Sequence, residues 1–169
     1  VGGVPGRGER LRTPQGVWAV VDFAHSPDSL AQMIRFLKAH HPRVVTVFGC
    51  GGGSDPHKRP LMGRLSGRLS DATVLTHDNP KGEDPQAILD QIEAGLRGSG
   101  ARYEVVPDRR EAIARALALA GAGDCVLVAG KGHETTQVFA GCELAFNDRD
   151  HLIEAWGAVP VAPDVPAAG

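Results

Sequence analysis

WAVVDFAHSPDSLAQMIRFLKAHHPRVVTVFG (residues 18–49) reads as strand, turn, helix and strand. Residues 18–24 form an apolar run holding one acid, which suits a strand buried on both faces. Ser26 followed by Pro27 is the favoured order of cap and first helical position. Leu30, Met33, Ile34 and Leu37 then recur at helical spacing, and residues 43–48 make the next strand. A strand, a helix and a second buried strand predict a parallel pair joined by a crossover.

The same unit recurs outward from this stretch. GCGGGSDPHKRP (49–60) precedes a helix marked by Leu61, Met62, Leu65 and Leu69. ATVLT (72–76) is a strand that ends in HDNPKGEDP (77–85), and residues 85–96 are helical with Ile88, Leu89, Ile92 and Leu96 on one face. A short strand over 103–106, a helix over 109–120 and the strand CVLV (125–128) follow, the last running into AGKGHE (129–134). Residues 136–139 suit a hairpin or an edge strand, and a last helix covers 148–156. The expected fold is therefore α/β: a Rossmann-like open, mostly parallel sheet of about six strands flanked by helices. The polar turns all follow strands. HSPD (25–28), 49–60, 77–85 and 130–134 should thus converge at the carboxyl edge, where such sheets bind ligands. Residues 1–16 read as a Gly/Pro/Arg-rich linker, 17–157 as the folded domain and 158–169 as a disordered Pro/Ala-rich tail.

The 169 residues suffice for one domain, and 42% hydrophobic residues suffice for its core. Lys and Arg number 18 against 20 Asp and Glu, a balance that disfavours nucleic acid as a partner. No apolar run approaches the roughly 18 residues of a membrane span, so no membrane insertion is expected. Three cysteines in no metal spacing, and no charged-then-apolar leader, point to a reducing cytoplasm. Seven histidines show no H-x-x-x-H or H-E-x-x-H spacing, so no metal site is expected. G-x-S-x-G is absent, which disfavours an α/β-hydrolase.

The turns carry the candidate chemistry. Residues 49–60 match neither a Walker P-loop nor a dinucleotide fingerprint. They read either as a surface loop or as a nest of N–H groups with Lys58 and Arg59 turned to an anion. In 77–85 the choice is between a solvated turn and a grip on a zwitterion, with Asp78 for an ammonium, Lys81 for a carboxylate and Asn79 able to serve either. In 130–134, Gly130 permits close backbone approach, Glu134 suits an amine, Lys131 an anion, and His133 is structural. Asp22, an acid in a buried strand pattern, needs a ligand, a metal or a loop N–H to cap.

VPGRGERL (4–11), VVDFAHSPDSL (20–30), VFGCGGGSDPHKRPLMG (47–63), HDNPKGEDP (77–85), DRREAI (108–113), VLVAGKGHETTQ (126–137) and NDRD (147–150) together closely resemble the C-terminal domain of the Mur ligases. The segments resemble in particular the branch that adds a diamino acid to UDP-MurNAc-L-Ala-D-Glu in peptidoglycan synthesis. The resemblance implies ATP and Mg2+ as cofactors, an acyl-phosphate intermediate, and partner N-terminal and central domains, the central one carrying the P-loop. It implies no catalytic residue within this fragment alone, which would be inert. By resemblance, Arg7, Asp22 and His25 are ATP-binding. Arg59, Asp78, Asn79, Lys81, Gly130 and Glu134 are amino-acid-binding, with Arg59 on the carboxylate. Members adding meso-diaminopimelate usually read DNPR, and here Lys81 stands in that arginine's place. Lysine keeps the charge without the planar fork, so diaminopimelate, lysine and ornithine all stay open. The alternatives are a related amide ligase domain, of folylpolyglutamate or cyanophycin synthetase type, and a non-catalytic binding module.

Overall fold

A computed structural model describes residues 8–162. The elements, in chain order, are β1 (Glu9–Arg12), β2 (Trp18–Asp22), α1 (Pro27–His40), β3 (Val44–Phe48), α2 (Lys58–Leu69), β4 (Ala72–Leu75), α3 (Pro85–Arg97), β5 (Tyr103–Val105), α4 (Arg109–Leu119), β6 (Cys125–Ala129), β7 (Thr136–Phe139), β8 (Cys142–Ala145), α5 (Asp148–Trp156) and β9 (Val159–Pro160). Seven strands form one sheet in the order β5-β4-β3-β6-β2-β1-β9, and β7 and β8 form a separate hairpin. Strands β5, β4, β3, β6 and β2 are mutually parallel, while β1 runs antiparallel to both its neighbours.

Strand alternation assigns the two faces. Trp18, Val20, Phe48, Leu75 and Leu127 meet the apolar stripes of α1, α2 and α3, including Leu30, Ile34, Met62, Leu89 and Ile92. Ala19, Val21, Val47, Val74, Val126 and Val128 meet Ile113 and Ala116 of α4 and Leu152 of α5. The topology explains the division. From β2 through β5 the chain steps in one direction, so right-handed crossovers put three helices on one face; the return to β6 puts α4 on the other. Caps fix the helix starts. Ser26 and Ser29 form a reciprocal capping box on α1, and Asp84, Asp108 and Asn147 cap α3, α4 and α5.

The chain ends differ from the sequence expectation. Residues 9–12, taken as linker, form β1, and residues 159–160, taken as tail, form β9 beside it, bringing the main sheet to seven strands rather than six. The reason lies in alternation: Leu11 is fully buried, while the guanidinium carbons of Arg10 and Arg12 lie 4.7 and 5.0 Å from the centre of the Trp18 ring. Two cations stacked on one indole cover a strand that looks too polar for a sheet. Arg7 lies outside the described residues. Among the described residues no helix is long and apolar enough to cross a membrane.

Candidate functional site

The four polar turns do converge. Their chain supplies His25 after β2, Gly51, Ser54 and Lys58 after β3, Asp78, Asn79 and Lys81 after β4, and Gly130 and Glu134 after β6, all lining one cleft of about 160 Å³. Complete small-molecule sites measure about 300–1,000 Å³, so this is the size of a half-site. Among the described residues no three His, Cys, Asp or Glu side chains gather as a metal site would require.

Glycines in the second turn serve close approach to the third. Gly52 N–H donates to the Asn79 carbonyl at 2.8 Å, and a Cβ on Gly52 would collide with the Pro80 carbonyl. Gly52→Ala should therefore part the two turns and cost about 1–3 kcal/mol or more in urea unfolding; an unchanged midpoint would remove this reason for the glycine. Two of the loop N–H groups, those of Gly52 and Gly53, are spent on Asn79 and Glu83. Arg59 is set back. It is 1% exposed, Nη1 and Nη2 donate to Glu83 Oε2 and Oε1 at 2.9 and 3.1 Å, Nη2 also donates to the Gly51 carbonyl, and Nη1 to Gln91. Arg59 lies in the first turn of α2, where a cation is unfavourable, and Glu83 offsets it. The hydrogen bonds from Arg59, joined by the Gly53 N–H, hold the Glu83 carboxyl down to about 2. In the ligand-free chain Arg59 thus fastens the second turn to the third, while its Nε keeps no hydrogen-bond partner among the described residues.

Asp22 is likewise outside the cleft lining, and its Oδ2 accepts from the Ala24 N–H at 2.8 Å. His25 lines the cleft, its Nδ1 2.7 Å from the Phe23 carbonyl, and Lys58 Nζ donates to the His25 carbonyl at 3.0 Å.

Asp78 is the unusual group. It is 7% exposed, it lines the cleft, and among the described residues no hydrogen bond reaches its carboxylate. Burial pushes its pKa up, opposed by the charges of Arg109 and Lys131. Gly130, at φ 111°, lies so close that a Cβ there would sit 2.6 Å from Asp78 Oδ2. Beside it, Asn79 Nδ2 donates to Glu134 Oε1 at 3.0 Å. Lys131, expected to meet an anion, is instead fully buried and donates to Asn79 Oδ1, Glu134 Oε1 and the Thr136 carbonyl at 2.8, 3.3 and 2.6 Å. Lys81 has φ 55°, a left-handed conformation that lets its N–H donate to the Val138 carbonyl at 2.7 Å while the side chain stays exposed at the cleft. Cys50 also lines the cleft, but burial drives its thiol up to about 12, so it is no nucleophile.

Beneath the site, Arg109 and Asp148 form a fully buried bidentate pair at 2.7 and 2.9 Å. Arg109 also donates to the carbonyls of His77 and Ala129, at 3.0 and 3.2 Å, and so ties the ends of β4 and β6 to α4 and α5.

The sequence and the fold have counterparts. The family profile described as Mur ligase, glutamate ligase domain, matches residues 6–132. The chain belongs to the Mur ligase family. This Mur ligase chain is 48% identical over 159 residues to the UDP-N-acetylmuramoyl-L-alanyl-D-glutamate–2,6-diaminopimelate ligase of Gloeobacter violaceus, covering 91% of the chain and 32% of that protein. It is 48% identical over 147 residues to the ligase of the same name from Alkaliphilus metalliredigens, covering 86% of the chain and 30% of that protein. A solved structure of a ligase with that name superposes at TM-score 0.83 and 40% identity, over 93% of this chain and 32% of its own. The crystal structure of folylpolyglutamate synthase from Thermotoga maritima, at 22% identity and TM-score 0.56 over 76% of this chain and 28% of its own, shares the fold. The chain spans about a third of the length of the curated relatives it matches.

Sequence reading of the Mur ligase chain missed two supports of the site. Gln137 Nε2 donates to the carbonyls of His77 and Asp78 at 3.2 and 3.1 Å, pinning the third turn from β7. The pairing of Lys131 with Asn79 spans 52 residues of chain, and only the GKG flanks hinted that position 131 is special.

Proposed function

We propose that this chain is the C-terminal, amino-acid-gripping domain of an ATP-dependent ligase that adds a diamino acid to UDP-MurNAc-L-Ala-D-Glu in peptidoglycan synthesis, with meso-diaminopimelate as the diamino acid. The observation that carries this reading is the buried Asp78 carboxylate, open to the cleft and lacking a hydrogen-bond donor among the described residues, with Glu134 on its own side and the Lys81 ammonium at the rim. An amino-acid terminus satisfies both signs. Its ammonium sits between Asp78 and Glu134 above Gly130, and its carboxylate meets Lys81 and the second N–H of Asn79. Holding the far end of the diamino acid this way presents its other amine to an activated carboxyl group, a gain in proximity rather than in acid–base chemistry.

ATP supplies the phosphoryl group that activates the dipeptide carboxylate. A Mycobacterium tuberculosis folylpolyglutamate synthase of the same fold has been solved with ADP and AMPPCP, at 23% identity and TM-score 0.57. In this domain His25 and Lys58 stand at the cleft where a phosphate would approach, with Arg7 and Asp22 as the further ATP contacts of this reading. No Mg2+ ligand set is assigned to this domain. Central and N-terminal domains complete the site, the chain preceding β1 joins them to this one, and closure excludes water from the acyl phosphate. Such a ligase works in the cytoplasm with its nucleotide substrates.

Lys81→Met in the full-length ligase should raise the KM for meso-diaminopimelate about tenfold or more, the loss of a charged hydrogen bond, and leave the KM for lysine unchanged. An unchanged diaminopimelate KM would remove Lys81 from the carboxylate. The 169-residue chain alone, given ATP, the dipeptide substrate and the diamino acid, should form no amide bond; product detected by mass spectrometry would overturn the division of labour.

A further inference from the structure

The Asn79 amide can be read in one orientation only. Its Oδ1 accepts from Lys131 Nζ at 2.8 Å and from the Val138 N–H at 3.1 Å, and its Nδ2 donates to Glu134 Oε1 at 3.0 Å. Flipping the amide would set an NH2 against two donors and an oxygen against a carboxylate. Lys131 itself has no route to a ligand. It is fully buried, and its ammonium is spent on Asn79, Glu134 and the Thr136 carbonyl at the start of the hairpin.

We infer that Lys131 is a positioning residue that sets the polarity of the cleft: it locks Asn79 as a donor and occupies Glu134 Oε1, so that Glu134 Oε2 alone remains for a ligand cation. The geometry then separates the two signs of the ligand. Glu134 Oε2 and Asp78 face the ammonium, and the free N–H of Asn79 faces the carboxylate, beside Lys81. Through Thr136 and Val138 the same lysine couples this polarity to the β7–β8 hairpin, whose backbone also receives the Lys81 N–H. The inference rests on the amino-acid reading above for its functional consequence but not for its structural content.

Two variants test it. Lys131→Met removes every donor, whereas Lys131→Gln keeps an uncharged donor for Asn79 Oδ1. In the isotope-labelled chain without ligand, the Asn79 side-chain amide proton bonded to Glu134 should be protected from solvent exchange in the wild type, exchange freely in Lys131→Met, and regain protection in Lys131→Gln. In the full-length ligase, Lys131→Met should raise the KM for meso-diaminopimelate about tenfold or more with the KM for ATP unchanged, and Lys131→Gln should recover most of that loss. An Asn79 amide as protected in Lys131→Met as in the wild type would overturn the positioning role. So would an unchanged diaminopimelate KM in Lys131→Met when Asp78→Asn raises it. If Asp78→Asn leaves that KM unchanged, the amino-acid reading fails instead, and the exchange data still decide on Lys131.

Discussion

Arg109→Met is expected to lower the stability of the chain by about 3–5 kcal/mol, because it leaves the fully buried Asp148 carboxylate without its guanidinium. A domain of this size has about 5–15 kcal/mol in total, so the variant should be partly unfolded at physiological temperature. The carbonyls of His77 and Ala129 lose this donor at the same time, although Gln137 Nε2 still reaches the first. The double variant Arg109→Met with Asp148→Leu should recover a large part of the loss, since apolar replacements carry no stranded charge. Urea unfolding of both variants checks this. A single variant no worse than the double would mean that Asp148 finds another partner.

Asp78→Asn should do the opposite to stability. Burial raises the Asp78 pKa in the folded chain, so the native state binds the proton more tightly than the unfolded state does. Its penalty is absent below the ordinary carboxylate pKa, grows as pH rises from there to the raised folded value, and is complete above it. At neutral pH the ligand-free Asp78→Asn chain should thus melt higher than the wild type, and the difference should vanish in acid. In the full-length ligase the same change should raise the KM for meso-diaminopimelate about 30-fold to 1,000-fold, as expected when one partner of a buried charge pair is removed. Stability gained and binding lost together mark a residue kept for its ligand. A destabilised variant at neutral pH would show that the carboxylate serves the fold instead.

Glu83 behaves conversely. Its carboxyl, held down to about 2 by Arg59 and the Gly53 N–H, favours the folded state above the ordinary glutamate value, and that support fades as pH falls toward about 2. The join between the second and third turns should therefore loosen in strong acid while Asp78 becomes neutral.

The parallel core was legible because its signals are local. Apolar runs alternate with amphipathic helices, the first of them marked by Ser26-Pro27, and the structure caps that helix at Ser26. The edges were not. In β1 only Leu11 points into the core, and its arginines rely on Trp18 for cover, a contact that no period of two reveals. Strand β8 is exposed at every position and carries no alternation at all. Within the site, residue type indicated which groups bear charge but not where each charge is spent. Arg59 and Lys131 both sit beside ligand-facing turns, yet Arg59 closes on Glu83 and Lys131 on Asn79, partners fixed only by the sheet that brings distant turns together. Asp78, Asn79, Lys81, Gly130 and Glu134 come to one rim because parallel strands deliver the turns that follow them to one edge, which the alternation of strands and helices already indicated.

The most direct measurement is a crystal structure of the full-length ligase with meso-diaminopimelate bound. The account predicts one ammonium of the ligand at about 2.7–3.2 Å from both Asp78 and Glu134 Oε2, with the neighbouring carboxylate on Lys81 and the Asn79 amide. A ligand bound the other way round, or held outside this cleft while Asp78 stays unpartnered, would contradict it.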